Sequence, residues 1–291
     1  KEEPCESFQQ LCKDFEIPQV LVENIERCGY STPTPVQKHS MPTALEGTDV
    51  MVAAQTGSGK TAAFLVPLIT RLLRDGLADL EEGPTKPRGI VLAPTRELCQ
   101  QIALEARKLC FRSDVRISTI YGGADSMPQL KQLAEGCELA ICTPGRLEDF
   151  LGRGVVSMEQ VTHVVLDEAD RMLQMGFEDQ MRSVVQNVRP SRQTLLFSAT
   201  FPPKIELLSS DLLRQPIRIT IGTRGQAAEN IVQHVEIVPT DEAKWPWLMQ
   251  RVEGFLKKGQ LCIFCKSKQG AEKLAADFKD LLQKEAVTLH G

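Results

Sequence analysis

Val50-Met51-Val52-Ala53-Ala54-Gln55-Thr56-Gly57-Ser58-Gly59-Lys60-Thr61 decides the fold. Four apolar residues read as a buried strand, and the helical spacing of Phe64, Leu65, Leu68, Ile69 and Leu72 follows directly. A strand, a glycine turn, Lys-Thr and a helix in that order make a phosphate-binding loop. Gly57 and Gly59 let the backbone N–H groups turn inward, Lys60 reaches the β- and γ-phosphates, and Thr61 can set its hydroxyl on Mg²⁺. The loop predicts a bound nucleoside triphosphate. One departure is visible, since Ala54 stands where the general pattern G-x-x-x-x-G-K-[ST] has glycine.

A second segment turns binding toward hydrolysis. His163-Val164-Val165-Leu166 reads as a buried parallel strand and ends in Asp167-Glu168-Ala169-Asp170. Ligands of open α/β sheets lie at the carboxyl ends of strands, so this acidic end can face the glycine loop. Asp167 is then placed to hold Mg²⁺, largely through water. Glu168 can orient or deprotonate the attacking water. Alone, the acidic run would read as a solvated turn; the loop upstream reverses that reading.

Seven segments in order carry a family resemblance: Gly29-Tyr30 with Pro33-Thr34-Pro35-Val36-Gln37, Ala54 to Thr61, Pro94-Thr95-Arg96-Glu97-Leu98, Gly122-Gly123, Thr143-Pro144-Gly145-Arg146, Asp167 to Asp170, and Ser198-Ala199-Thr200. The chain resembles the DEAD-box ATP-dependent RNA helicases from about residue 8 to its end, and Ala54 is usual in that family. The resemblance implies that ATP is bound by Tyr30, Gln37, Ala54, Gln55, Thr56, Gly57, Ser58, Gly59, Lys60 and Thr61, with Lys60 and Glu168 catalytic. It assigns Gln37 to the adenine edge, which suits an amide offering a donor and an acceptor side by side. The aromatic that stacks on the base is Phe8 or Phe15, neither at the family's usual distance; Phe8, with a short insertion after it, is favoured. Pro94, Thr95, Arg96, Gly122, Gly123, Thr143, Pro144, Gly145 and Arg146 correspond to contacts with the RNA backbone. Glycines let a phosphate approach the main chain, and Arg and Thr donate to its oxygens, so sequence preference should be weak. Asp170, Ser198 and Thr200 correspond to the residues that couple hydrolysis to strand separation.

Composition is consistent with this. The chain has 291 residues, 42% hydrophobic and 25% charged, enough for one large α/β domain and part of another. Its net charge of −4 is unlike that of a passive nucleic-acid binder, so RNA affinity must be local. Nine cysteines, no signal peptide and no apolar stretch long enough to cross a bilayer point to a reducing intracellular compartment. Cys262-Ile263-Phe264-Cys265 matches C-x-x-C but lies in the apolar run 261–265, read as an extended strand in which residues three apart face opposite sides, so no metal or redox role is expected of the pair.

Strands are expected at 50–54, 89–93, 117–121, 139–142, 163–167 and 194–198, with helices between them and a strand-like 217–221 after. This alternation is a parallel sheet with right-handed crossovers, and the resemblance implies that residues 1–221 are the Q-motif region and the first, ATP-binding RecA-like domain. Residues 75–87 form a charged loop, and 222–230 read as a linker. From 231 to 291 a second RecA-like domain is expected to begin: strands at 232–238, 261–265 and 286–289, helices at 245–258 and 267–283. That stretch is short for an independent core, so the chain is read as a whole first domain and the start of a second. The expected function is that of an ATP-dependent RNA helicase which in its complete form unwinds or remodels RNA, the 1–291 chain binding ATP without activity alone; a P-loop ATPase acting on DNA or protein, which Gln37 and 143–146 argue against, and an ATP-gated RNA clamp are the alternatives. A monomer with possible protein activators is expected.

Overall fold

The computed structural model describes residues 4–76, 83–222, 232–282 and 286–290. Two compact units divide the chain, Lys1–Glu229 and Asn230–Gly291. In the first, helices α1 (Phe8–Asp14), α2 (Gln19–Arg27) and α3 (Pro35–Leu45) precede strand β1 (Val50–Ala53) and helix α4 (Lys60–Asp75). Then β2 (Gly89–Leu92), α5 (Arg96–Leu109), β3 (Ile117–Ile120), α6 (Met127–Ala134), β4 (Leu139–Cys142) and α7 (Pro144–Gly152) alternate. The unit closes with β5 (His163–Leu166), α8 (Ala169–Gln174), α9 (Glu178–Gln186), β6 (Gln193–Ser198), α10 (Pro203–Leu212) and β7 (Ile217–Thr220).

The seven strands form one sheet in the order β3-β4-β2-β5-β6-β1-β7, with every pairing parallel. Parallel strands need crossover helices, and those helices cover both faces. The side chains divide accordingly. Val50, Val52, Val91, Ile141, Val165, Leu195 and Phe197 pack under α1 to α5. Met51, Ile90, Leu92, Ala140, Val164, Leu166 and Leu196 pack under α6 to α10. Both sets are buried, which is why the strands read as unbroken apolar runs. Buried Asp49 ties the sheet's lower end to the chain, accepting from the amides of Thr194 and Arg214, each at 2.7 Å.

The second unit differs from the expectation. Its described residues hold three helices, α11 (Lys244–Met249), α12 (Val252–Leu256) and α13 (Lys268–Leu282). The single helix expected at 245–258 is broken at Gln250–Arg251, where Arg251 leaves helical φ and lies over the Trp247 ring, 4.7 Å from its centroid. Gly254 further weakens the second piece. Described residues of 232–238, 261–265 and 286–289 carry no strand, and Ile237 and Phe264 are each 94% exposed. No strand in this unit's described residues supplies main-chain partners, and an isolated strand is not stable in water. Cys262 and Cys265 therefore do not face opposite sides of a strand; both are exposed and free. The tryptophans serve as packing, Trp245 against Phe278 and Trp247 against Phe255. Most of the expected linker, 223–230, lies outside the described residues, as do 77–82 of the 75–87 loop.

Candidate functional site

Register places the predicted loops together. Leu166, Leu196 and Met51 lie level on β5, β6 and β1, and Ala53 is level with Ser198. The glycine loop after β1, the acidic segment after β5 and Ser198-Ala199-Thr200 after β6 thus leave one edge of the sheet side by side.

The glycine loop has the backbone its sequence demands. Gly57 and Gly59 take φ of 81° and 96°, values that L side chains rarely adopt. Gly59 is constrained again by contact, because a Cβ there would come within 2.7 Å of Gln37 Nε2 and 2.9 Å of Thr34 Oγ1. The chain then enters the sixteen-residue α4, whose first amides and dipole favour an anion. Lys60 is buried and its Nζ donates to the Ala54 carbonyl at 2.8 Å, across the mouth of the loop. Thr61 follows it in the first turn. The Ser58 hydroxyl is buried with no hydrogen-bond partner, an arrangement a phosphate oxygen would complete.

Gln37 is buried and spans two elements. Its Oε1 accepts from the Thr34 amide at 2.9 Å, closing the N-terminal turn of α3, and its Nε2 donates to the Gly59 carbonyl at 3.0 Å. One N–H and one lone pair remain. Sequence reasoning gave Thr34 no role, although Thr-x-x-Gln before a helix is a capping signal. Phe8 is buried and stacks on Tyr30, centroids 5.8 Å apart. Together they line a cavity of about 390 Å³ with Cys12, Ile25, Glu26 and Ser31. Phe15, at the end of α1, is partly buried and packs against the core instead. Gln37 is not among the residues lining that cavity.

Asp167 is 3% exposed. Burial pushes its carboxyl up to about 6, and the nearby Lys60 ammonium only partly offsets that shift. Its Oδ1 accepts from the Glu168 amide at 3.0 Å. Glu168 takes left-handed backbone, φ 50° and ψ 48°, which an L residue adopts at a cost. The two adjacent carboxylates have different partners: Asp167 takes the Glu168 amide, and Glu168 Oε2 accepts from Arg171 Nη1 at 3.3 Å. Asp170 reaches the next strand: its Oδ2 accepts from the Thr200 amide at 3.1 Å and the Thr200 hydroxyl at 2.8 Å. The Ser198 hydroxyl accepts from the Asp170 amide at 3.3 Å and donates to the Thr200 carbonyl at 2.8 Å.

The remaining predicted residues leave the same edge of the sheet at β2, β3 and β4. Pro94 is buried beneath the turn, and the Thr95 hydroxyl caps α5 by accepting from the Leu98 amide at 3.3 Å. Arg96 is exposed, its guanidinium 5.2 Å from the centroid of the Tyr121 ring. The Thr143 hydroxyl accepts from the Gly122 amide at 3.3 Å. Gly123 takes φ 70°, and Pro144 and Gly145 open α7. Arg146 donates from Nη2 to the Ala124 carbonyl at 3.3 Å and lies over Phe150, while its Nη1 is buried without a hydrogen-bond partner. Such a guanidinium has donor capacity for a phosphate oxygen. Sequence reasoning missed Tyr121, Gln100, whose Nε2 donates to the Tyr121 hydroxyl at 3.1 Å, and Gln129, described below.

Among the described residues no cluster of His, Cys, Asp and Glu could by itself hold a metal ion, and no helix is long and apolar enough to cross a membrane. The DEAD/DEAH box helicase family model matches residues 34–208. The chain is 44% identical over 271 residues to DEAD-box ATP-dependent RNA helicase 24 of Oryza sativa subsp. japonica, covering 93% of this chain and 34% of that protein. It is 42% identical over 265 residues to ATP-dependent RNA helicase DDX42 of Homo sapiens, covering 91% and 28%. The crystal structure of a hypothetical ATP-dependent RNA helicase from Sulfolobus tokodaii matches with a TM-score of 0.61 at 32% identity, over 70% of this chain and 57% of that one. The chain spans about a third of the length of the curated relatives it matches.

Proposed function

The chain belongs to the DEAD/DEAH box helicase family, and from that premise we propose that it is the nucleotide-binding part of an ATP-dependent RNA helicase. One observation carries this reading. The carboxyl edge of the sheet is divided into two halves: β1, β5 and β6 present the glycine loop and the carboxylates, and β2, β3 and β4 present Arg96, Gly122, Gly123, Thr143 and Arg146. A nucleotide and a phosphodiester strand can lie on adjoining surfaces of one rigid frame.

In the nucleotide half, the amides of residues 57–61 and the start of α4 receive the phosphates. Lys60 exchanges the Ala54 carbonyl for phosphate oxygens. Gln37 keeps its hold on Thr34 and Gly59 and reads adenine with its spare N–H and lone pair. Phe8 and Tyr30 supply the apolar wall. The donor set fits Mg²⁺: Asp167 is a buried carboxylate whose desolvation Lys60 only partly offsets, and Thr61, next after Lys60, carries a hydroxyl. When bound, the ion neutralises charge gathering on the β- and γ-phosphoryl oxygens. Glu168, steadied by Arg171, orients the attacking water and takes its proton.

In the other half the polar groups named are main-chain amides, hydroxyls and guanidinium groups suited to phosphates, so the surface takes RNA with little regard to sequence. The bonds among Asp170, Ser198 and Thr200 join the segments after β5 and β6 within the nucleotide half, and in this reading they pass the nucleotide state on to strand separation. Residues 231–291 are the opening of a second RecA-like domain. They contain a single arginine, Arg251, whose guanidinium lies over Trp247. The test is turnover by the full-length protein. ATP hydrolysis stimulated by single-stranded RNA, together with displacement of short duplexes, supports a helicase. Stimulation without displacement would make it an ATP-gated clamp, and stimulation by DNA alone would refute the RNA assignment.

A further inference from the structure

β3 is an edge strand, hydrogen-bonded only to β4, yet its open side is not left to solvent. Two glutamines of α6 close it as a neighbouring strand would. Gln132 accepts from the Thr119 amide at 3.4 Å and donates to the Ile117 carbonyl at 3.0 Å. One helical turn earlier, Gln129 accepts from the Tyr121 amide at 2.9 Å and donates to the Tyr121 carbonyl at 3.1 Å. The outward main-chain groups of an edge strand fall on alternate residues, here 117, 119 and 121. Side chains three apart on α6 match that repeat.

Gln129 does more than close an edge. It is 5% exposed, and its Nε2 also donates to the Asp125 carbonyl at 3.1 Å. Both amide hydrogens are therefore used on the two ends of the turn that contains Gly122 and Gly123. Thr143 and Arg146 also hold the turn, at Gly122 and Ala124, and Arg96 lies over the ring of Tyr121. We propose that Gln129 is a positioning residue for RNA: it fixes the 121–125 turn so that the glycine main chain, Arg96 and Arg146 face one phosphodiester strand. Gln132, with the same chemistry, holds only the strand. The inference rests on the reading of this surface as RNA-binding.

The test uses RNA-stimulated ATP turnover in the full-length protein, with Gln129→Met, near-isosteric but without the three bonds, and Gln129→Glu, which keeps only the acceptor. Losing a buried hydrogen-bonded clamp should raise the KM for single-stranded RNA at least about fivefold. The kcat at saturating RNA and the ATP affinity measured without RNA should stay within about twofold of the parent. Gln132→Met is the matched control, expected to lower the melting temperature and leave the KM for RNA unchanged. Arg146→Ala separates the two readings. If it leaves the KM unchanged, the RNA surface itself is wrongly assigned. If it raises the KM while Gln129→Met does not, the proposal for Gln129 is overturned. Equal losses of RNA affinity, ATP affinity and kcat in the Gln129 variants, or failure of both to fold, would make the residue a fold determinant only and overturn it too.

Discussion

Asp170 and Thr200 are joined by two hydrogen bonds, from the Thr200 amide at 3.1 Å and its hydroxyl at 2.8 Å to the same carboxylate oxygen. The pair links the acidic segment after β5 to the loop after β6. Strand separation in the proposed cycle depends on such a link, whereas nucleotide binding does not. Thr200→Val keeps the amide bond and loses the hydroxyl. It should leave ATP affinity within about twofold and slow duplex displacement by about tenfold, one lost charge-assisted hydrogen bond. Stopped-flow displacement beside nucleotide titration checks this; equal losses in both would show that the pair only supports the site.

Glu168 makes a sharper claim about chemistry. Glu168→Gln preserves shape and the partner at Arg171 but cannot accept the proton. RNA-stimulated turnover should fall by about 10² to 10⁴ with ATP and RNA binding retained. Turnover at the parent rate would remove Glu168 as the base.

Much of this was legible in the sequence, and the reasons are physical. Strands buried on both faces appear as unbroken apolar runs, so β1 to β6 could be placed to within a residue or two. The glycine loop was legible because few residues tolerate φ of 81° and 96° beside a phosphate-facing helix. What sequence could not show were relations set by tertiary packing. The left-handed turn at Glu168, Gln37 bridging Thr34 to Gly59, and Gln129 closing the edge at Tyr121 depend on elements that meet only after folding. The same limit produced the error at 232–238 and 261–265: an apolar alternation becomes a strand only where another strand lies beside it.

Gly59 tests the double constraint on the loop. Gly59→Ala forces a Cβ to within 2.7 Å of Gln37 Nε2 at φ 96°. The strain should destabilise the chain by about 1–3 kcal/mol. ATP affinity should also fall, since relieving the clash displaces Gln37. Thermal denaturation with a nucleotide titration would show both effects; an unchanged melting temperature would contradict the packing described.

His163 sets an acid limit. Burial, aided by the Arg71 charge, lowers its pKa from 6.5 to about 4. The unfolded chain then takes up the proton first as pH falls. The contribution is complete above about 6.5 and is lost as pH drops toward 4, up to about 3 kcal/mol in all. Denaturation at pH 7.5 and pH 5 should show a smaller difference in His163→Leu than in the parent. Equal differences in the two would show that His163 is not the group responsible.

The central claim is that the loop at 54–61 binds ATP with Gln37 reading the base. Calorimetric titration of ATP and GTP with Mg²⁺ onto the 1–291 chain and its Gln37→Ala variant tests it most directly. The account predicts that the parent prefers ATP by about tenfold, a bidentate hydrogen bond's worth of discrimination. It also predicts that Gln37→Ala lowers both affinities and abolishes the preference. Equal affinity of the parent for the two nucleotides, or a preference that survives in the variant, would contradict it.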